Sequence, residues 1–359
     1  MKSFDRILAW ASRNERKLGA VLFAFGFATD FFTFGVLPIS IVVYVFAGYL
    51  TLAAIAVLGA HATALWHDTE VRFKKALSVA FPLIVQYAFG GLFSGFVVFY
   101  AAHSVLAVSW PFIILLVLIY AGNEYFRMYK HYLVFQTTLF FFALYAYAVF
   151  ALPLVTGTIG PWTFLGSTAL TIGVFSAFVW LLTAVNKTRF HGNARSVAGA
   201  TAVVLVLVNA SYFLGLIPPI PLALKDTGIY HSLVREGGNY RVTKEAPEPW
   251  WRFGSEEIEH MPGEILYAYS AVAAPGNLSG SVVHRWERHT EDGWRTESKV
   301  SFPIVGGREG GYRGYSFIGN LPEGTWRVSV ETLSGQTIGR IRFDIKEVTQ
   351  QPPVQQELL

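Results

Sequence analysis

Hydrophobic residues follow two rhythms along this chain. Up to about Pro221 they form nearly unbroken apolar stretches; beyond Gly263 they alternate with polar residues in short runs. An apolar helix needs about 20 residues to cross the roughly 30 Å hydrocarbon core of a bilayer. Seven stretches come close to or exceed that length: Leu18 to Leu37, Ser40 to Leu65, Ala76 to Ala101, Val108 to Tyr125, Tyr132 to Leu154, Trp162 to Val185 and Val197 to Leu216. The pattern predicts an α-helical polytopic domain of seven transmembrane helices over residues 18–221, after a short segment 1–17. The last helix runs into Ile217-Pro218-Pro219-Ile220-Pro221, where proline removes backbone donors and stops it.

The second rhythm has a period of two, which is that of a half-buried strand. Candidate strands are Glu264–Val272, Gly280–Arg288, Trp294–Ile304, Tyr312–Ile318, Thr325–Thr332 and Thr337–Ile345. Turn residues separate them at Pro275-Gly276-Asn277, Glu291-Asp292-Gly293, Gly306-Gly307, Pro322-Glu323-Gly324 and Ser334-Gly335. Short strands at near-regular spacing predict an all-β antiparallel sandwich of immunoglobulin-like type over residues 263–348. Residues 222–262 are proline-containing and mixed, and read as a loose connector. Residues 349–359, rich in Gln with Pro352-Pro353, read as a disordered tail.

Charge adds an orientation. Residues 1–221 carry 13 Lys+Arg and 6 Asp+Glu, net +7, and residues 222–359 carry 15 and 18, net −3. All 13 basic residues of the apolar half precede the first stretch or follow the second, fourth and sixth. Cytoplasmic loops retain Lys and Arg, so this alternation places the amino-terminal end inside and the β region outside. It also explains the basic pI of about 9.1. That pI carries no nucleic-acid signal, which would need a basic face on a soluble module. The first stretch contains Asp30 and lacks a clear cleavage pattern, so it reads as a span and not a signal peptide.

Candidate chemistry is sparse. There is no Cys, which excludes disulfides, thiolate metal sites and thiol nucleophiles. No cofactor or catalytic motif stands out: Gly306–Gly311 lacks the Lys-Ser/Thr of a P-loop, and His284 and His289 fall on opposite faces of one strand, so no metal site is expected. Within the spans Asp30 is the clearest polar residue, and a carboxylate there costs at least about 2.5–3.5 kcal/mol unless it is neutralised or paired. It reads either as a proton or cation site, joined by His103, or as a hydrogen-bonded residue that fixes helix packing. Glu124 closes the fourth span beside Arg127, and Gln86, Gln136 and Asn209 suit interhelical hydrogen bonds. In the β region Arg285, Trp294, Arg313, Tyr315 and Arg327 are candidate ligand-binding residues, because aromatic faces stack on sugars and Arg pairs with carboxylate or phosphate. Trp286 and Trp326 read as core, which turns Arg285 and Arg327 beside them to the opposite face.

Val283-His284-Arg285-Trp286, Trp294, Gly311-Tyr312-Arg313-Gly314-Tyr315-Ser316-Phe317, Gly324-Thr325-Trp326-Arg327-Val328, Gly335 and Phe343 resemble the bacterial domain-of-unknown-function family twenty-nine fourteen. Gly26-Phe27 with Asp30, Asn123-Glu124, and Ile217–Pro221 followed by Gly228-Ile229-Tyr230-His231 are similar to its polytopic members. The resemblance implies a bacterial inner-membrane protein with a periplasmic β domain. It brings no established reaction and hence no catalytic residues. The expectation is a membrane-anchored binding or assembly module for an envelope glycan, lipid headgroup or protein, more a binder than an enzyme. The alternative is a transporter or membrane-embedded enzyme centred on Asp30.

Overall fold

The computed structural model describes residues 39–64, 71–103, 133–217, 222–245, 255–305 apart from 275 and 277, and 311–359, with a few isolated positions before residue 39 and at 114. The chain divides into a helical unit and a β unit, the latter holding the described residues from 222 onward together with 156–161.

Five long helices are described: α1 (Ile39–Thr63), α2 (Arg72–His103), α3 (Leu133–Thr156), α4 (Pro161–Val185) and α5 (Lys187–Phe213). All five are long and apolar enough to cross a membrane. They coincide with the second, third, fifth, sixth and seventh predicted spans; apart from those isolated positions, the first and fourth lie outside the described residues. The last helix starts ten residues earlier than the apolar run. Asn186 separates α4 from α5, and its side chain accepts from the Arg189 backbone N–H at 3.2 Å, so capping starts the helix within the basic segment.

Interior packing of the helices is aromatic. Phe46 meets Phe96, Phe140 meets Phe178, and Phe164 stacks on Tyr212 with ring centroids 3.7 Å apart. Many phenylalanines therefore lie between helices, buried. A Cβ on Gly91 would come within 2.6 Å of the Tyr49 ring, which makes that glycine a close-approach point between α1 and α2. Asn209 donates to the Tyr145 hydroxyl at 3.0 Å and so links α5 to α3.

Among its described residues the β unit contains eleven strands: β1 (Ala223–Tyr230), β2 (Ser232–Glu236), β3 (Asn239–Glu245), β4 (Glu256–His260), β5 (Ile265–Ala273), β6 (Ser279–Thr290), β7 (Gly293–Val305), β8 (Tyr312–Gly319), β9 (Gly324–Thr332), β10 (Thr337–Glu347) and β11 (Val354–Leu358). They form a three-stranded sheet β1-β5-β8, a five-stranded sheet β4-β10-β9-β6-β7 and a second three-stranded sheet β11-β3-β2. Strands β5 to β10 match the six predicted ones. Gly293 opens β7 with φ +104°, a conformation that favours glycine, and so closes the β6–β7 hairpin.

The first two sheets bury a common core. Ile229, Leu266 and Ala268 from one side pack with Trp286, Trp326, Val328, Phe343 and Ile345 from the other. A second cluster joins Val272 to Val282, Val330 and Ile338. Each buried Trp removes about 150–250 Å² from water, worth several kcal/mol at about 25 cal/mol per Å². Since strand side chains alternate, Arg285, Arg327 and their neighbours point to the opposite face of the five-stranded sheet.

Three expectations need correction. The supposed connector forms β1 to β4: β1 pairs antiparallel with β5 and delivers Ile229 to the core. The supposed disordered tail forms β11, which pairs with β3 from Val354↔Glu245 to Leu358↔Arg241. All five β11 side chains are exposed, so main-chain bonding holds it and no apolar alternation announces it. Finally, β4 pairs parallel with β10, so the sheet is mixed and not wholly antiparallel. Parallel pairs need a crossover, and the chain supplies one by placing β5 in the other sheet.

Candidate functional site

The β unit turns two elaborated faces outward, and the five predicted ligand-binding residues divide between them. On the outer face of the five-stranded sheet lie Arg285, Trp294 and Arg327. Here Glu287 is almost fully buried at 3% exposure, although its position faces away from the core. Neighbouring arginines cover it. Arg327 donates to it twice, from Nε at 2.6 Å and Nη2 at 3.0 Å, and the Arg285 Nε lies 3.8 Å away. Ser329 donates to the same carboxylate at 3.3 Å. Arg285 also bonds the buried Glu331.

Burial opposes the charge on Glu287, but the Arg327 hydrogen bonds and the charges of Arg285, Arg327 and Arg340 hold its pKa below the usual carboxylate value. Glu331 goes the other way: burial dominates over Arg285 and raises its pKa. Trp294 forms a platform beside these groups. The Arg327 guanidinium lies 4.1 Å from the ring centroid and that of Arg342 5.7 Å. Arg285 and Arg327 are thus largely engaged within the protein. The less committed cations are Arg340, whose Nε donates to Ser329 at 3.1 Å, and the exposed Arg342. Both lie in the apolar–polar alternation of β10, so their shared face was legible from the sequence.

Arg313 and Tyr315 lie on the outer face of the β1-β5-β8 sheet. Arg313 donates from Nη1 to the Leu359 main-chain oxygen at 3.1 Å and to Asn239 at 3.2 Å, which ties β8 to the β11-β3-β2 sheet. That sheet covers part of the face through Leu233, Tyr240 and Val242, which pack on Tyr230, Tyr269 and Ala271. The uncovered part is an aromatic row. Tyr315 is 41% exposed and Phe317 57%, and their rings lie 6.4 and 5.8 Å from half-buried Tyr267. Register explains the row, because Tyr267 pairs with Phe317 and Tyr269 with Tyr315 across β5 and β8.

Two histidine clusters were missed. His284 is fully buried between the sheets and hydrogen-bonds Ser270 at 2.7 Å and Ser316 at 2.9 Å; the Trp286 indole also donates to Ser316 at 2.9 Å. Burial lowers the His284 pKa to about 4, so it is neutral at physiological pH. With no opening to solvent, this Ser-His-Ser array is a satisfied core network and not a nucleophile. His231 bridges two carboxylates, with Nδ1 2.7 Å from Glu264 and Nε2 3.0 Å from Glu245. Burial would lower its pKa, but the hydrogen bonds and charges of Glu245 and Glu264 prevail and raise it. Its partners lie 14 and 33 residues away, beyond the reach of local spacing. His289 is exposed, with its ring 5.0 Å from that of Trp294.

Of the intramembrane candidates, Asp30 and Glu124 lie outside the described residues, and His103 is the last residue of α2. Among the described residues no group of His, Asp or Glu is arranged to hold a metal ion.

Solved structures offer only faint likeness. A β-glucosidase from Listeria innocua, in complexes with gluconolactone and with isofagomine, aligns at 11% and 12% identity with a TM-score of 0.19. The chain spans 16% of that enzyme. An alkylpurine DNA glycosylase from Pseudomonas fluorescens, bound to DNA containing an abasic site analog, aligns over 85% of this chain and 99% of its own at 11% identity and a TM-score of 0.22. No curated protein matches the chain. The family model described as "Protein of unknown function (DUF2914)" matches residues 279–345, which run from the start of β6 into β10 and hold both the arginine–glutamate network and the exposed Tyr315 and Phe317.

Proposed function

We propose that the chain is a seven-span bacterial inner-membrane protein that displays its β unit, an immunoglobulin-like sandwich, on the periplasmic side to bind an envelope glycan. The aromatic row carries the binding part of this reading. Tyr315 and Phe317 stand exposed beside Tyr267 on one sheet face, with exposed Ile265 alongside. Such rings offer an apolar surface to the C–H face of a sugar, and tyrosine adds a hydroxyl for its polar edge. Of the predicted determinants, Arg313 on this face is held by protein groups and Arg327 lies on the other sheet, so neither forms the centre of the surface. The placement of basic residues between alternate apolar stretches supports the topology.

The test is retention of the full-length protein, in uncharged detergent, on immobilised peptidoglycan glycan strands. Loss of two stacking rings at about 0.5–1.5 kcal/mol each should weaken binding of Tyr315→Ala/Phe317→Ala roughly tenfold, while Asp30→Asn leaves it intact. Equal retention of the double variant would refute the glycan reading. Reporter fusions after residues 130 and 348 test the orientation, which predicts the first inside and the second outside.

A further inference from the structure

The opposite face of the sandwich holds a group of cations that its carboxylates balance only in part. Residues 222–359 are net −3 overall. Yet the outer face of the five-stranded sheet gathers Arg285, Lys299, Arg327, Arg340, Arg342 and Lys346 against Glu287, Glu331, Asp344 and, on the edge strand β4, Glu257 and Glu259. Strand register aligns them. Ser329 on β9 faces Arg340 on β10 to one side and Arg285 on β6 to the other, and Arg285 faces Lys299 on β7. The next row places Arg342 beside Arg327 and Arg327 beside Glu287.

The two buried glutamates are taken by Arg285 and Arg327. Asp344 accepts from Thr325 and Ser255. At the strand ends nearby, Arg295 pairs with Glu297 and Lys346 with Glu257. Among the described residues, Arg340, Arg342 and Lys299 make no ion pair. Arg340 is the most telling of the three. It is half-buried, Ser329 is its hydrogen-bond partner, and burial followed by the nearby Arg327 lowers its pKa. Glu287 and Glu331 offset that effect only in part, and neither pairs with Arg340 directly; partial desolvation of a cation is costly, and an incoming anion would relieve the remaining cost. Arg342 is steadied over Trp294, so its guanidinium is partly oriented in advance.

We propose that this face is a second binding site, for a ligand that carries several phosphate or carboxylate groups, held by Arg340 and Arg342 and extended to Lys299. The two arginines alternate with Ile341 on one strand, so their Cα atoms stand about 7 Å apart at about 3.3–3.4 Å per residue. That spacing suits two guanidinium groups closing on one oxyanion or on two adjacent ones, with the bidentate geometry that arginine prefers. Lys299 lies three strands away, about 14 Å at about 4.8 Å per strand, so it meets a further anionic group of an extended ligand. The site is independent of the aromatic row on the other sheet.

Calorimetric titration of the full-length protein in uncharged detergent tests this, with tripolyphosphate and trigalacturonate as separate probes. At least one should bind, with affinity falling as salt rises. A probe that binds alone names the source: tripolyphosphate a phosphorylated one, trigalacturonate an acidic sugar. Arg340→Gln and Arg342→Gln should each weaken binding roughly tenfold, as expected for a lost charge-assisted bond. The surface variant Lys299→Ala, which puts no buried group at risk, should weaken it several-fold without shifting the melting temperature. Tyr315→Ala/Phe317→Ala should not change it, and Arg295→Gln, on the same strand as Lys299 but paired with Glu297, serves as a charge-matched control. Binding of neither probe, or equal losses in Arg295→Gln and Arg340→Gln, would overturn the proposal.

Discussion

Arg327 holds Glu287 with two hydrogen bonds, at 2.6 and 3.0 Å, on a sheet face where Glu287 is nevertheless 3% exposed. The pair is stable as a pair and costly to halve, because removing one partner leaves a buried charge with too little compensation. Arg327→Ala should therefore destabilise the β unit by about 3–5 kcal/mol, moderated by Arg285 at 3.8 Å from the same carboxylate. Replacing both, as Arg327→Met with Glu287→Leu, should recover most of that loss. Denaturant unfolding followed through the buried Trp286 and Trp326 reads both outcomes, and a double variant no better than the single would contradict the assignment.

Arg313 offers a contrast, since its work is to fasten a strand. Its bonds to the Leu359 oxygen and to Asn239 join main-chain bonds between Tyr240 and Leu359 in holding β11. The β11 side chains are all exposed, so little burial backs these bonds. Arg313→Ala should raise amide hydrogen exchange across residues 354–358 well above wild type, while the core strands β6 and β9 keep their protection. Unchanged exchange at β11 would mean that its backbone pairing suffices without the arginine.

What was legible in the sequence follows from these differences. The six strands that feed the core show their period of two because alternate residues face it, and the alternation in Trp326-Arg327-Val328-Ser329-Val330 maps directly onto inward and outward faces. β11 buries none of its side chains, and β2 leaves three of its five exposed, so neither carries such a signal. The candidate binding residues were chosen by type, and type does not report partners. Arg285 and Arg327 look free until β9 brings Glu331 and β6 brings Glu287 alongside. That Arg313 and Tyr315 share a face, apart from Trp294, depends on which strand joins which sheet. The row of Tyr267 beside Phe317 likewise needs the β5–β8 register.

His231 makes the strand junctions sensitive to rising pH. It bridges Glu245 at the end of β3 and Glu264 before β5, and Glu245 also accepts the Glu259 backbone N–H at 2.8 Å. His260 closes the cluster, with its ring nitrogen 3.1 Å from the Glu264 main-chain oxygen. Burial lowers the His231 pKa, but the two carboxylates overcome it, so the folded value stands above the ordinary 6.5. A raised folded pKa means the folded state holds the proton longer. The stabilisation is complete below about pH 6.5 and is lost as pH rises through the folded value. His231→Gln should flatten the stability profile in that window, measured as melting temperature against pH. A profile unchanged by the substitution would show that this carboxylate–histidine bridge does not contribute to stability.

His284 gives the opposite sign. Its pKa falls to about 4 through burial, against an ordinary 6.5, so the unfolded chain binds the proton first. Its contribution is therefore complete above about pH 6.5 and disappears as pH falls toward 4, amounting to about 3 kcal/mol at 1.36 kcal/mol per pH unit. This window lies above that of Glu287, whose pKa is held below its ordinary 4.5. The two can thus be separated in one acid titration. His284→Phe should abolish the loss between pH 6.5 and about 4. At pH 7 it should also be less stable, by about 1–3 kcal/mol for each buried hydroxyl it leaves unsatisfied, the hydroxyls being those of Ser270 and Ser316. Denaturant midpoints of wild type and His284→Phe at pH 7, 5.5 and 4.5 decide the matter. A wild-type midpoint that does not move across these values would show that this buried imidazole is not what limits stability in mild acid.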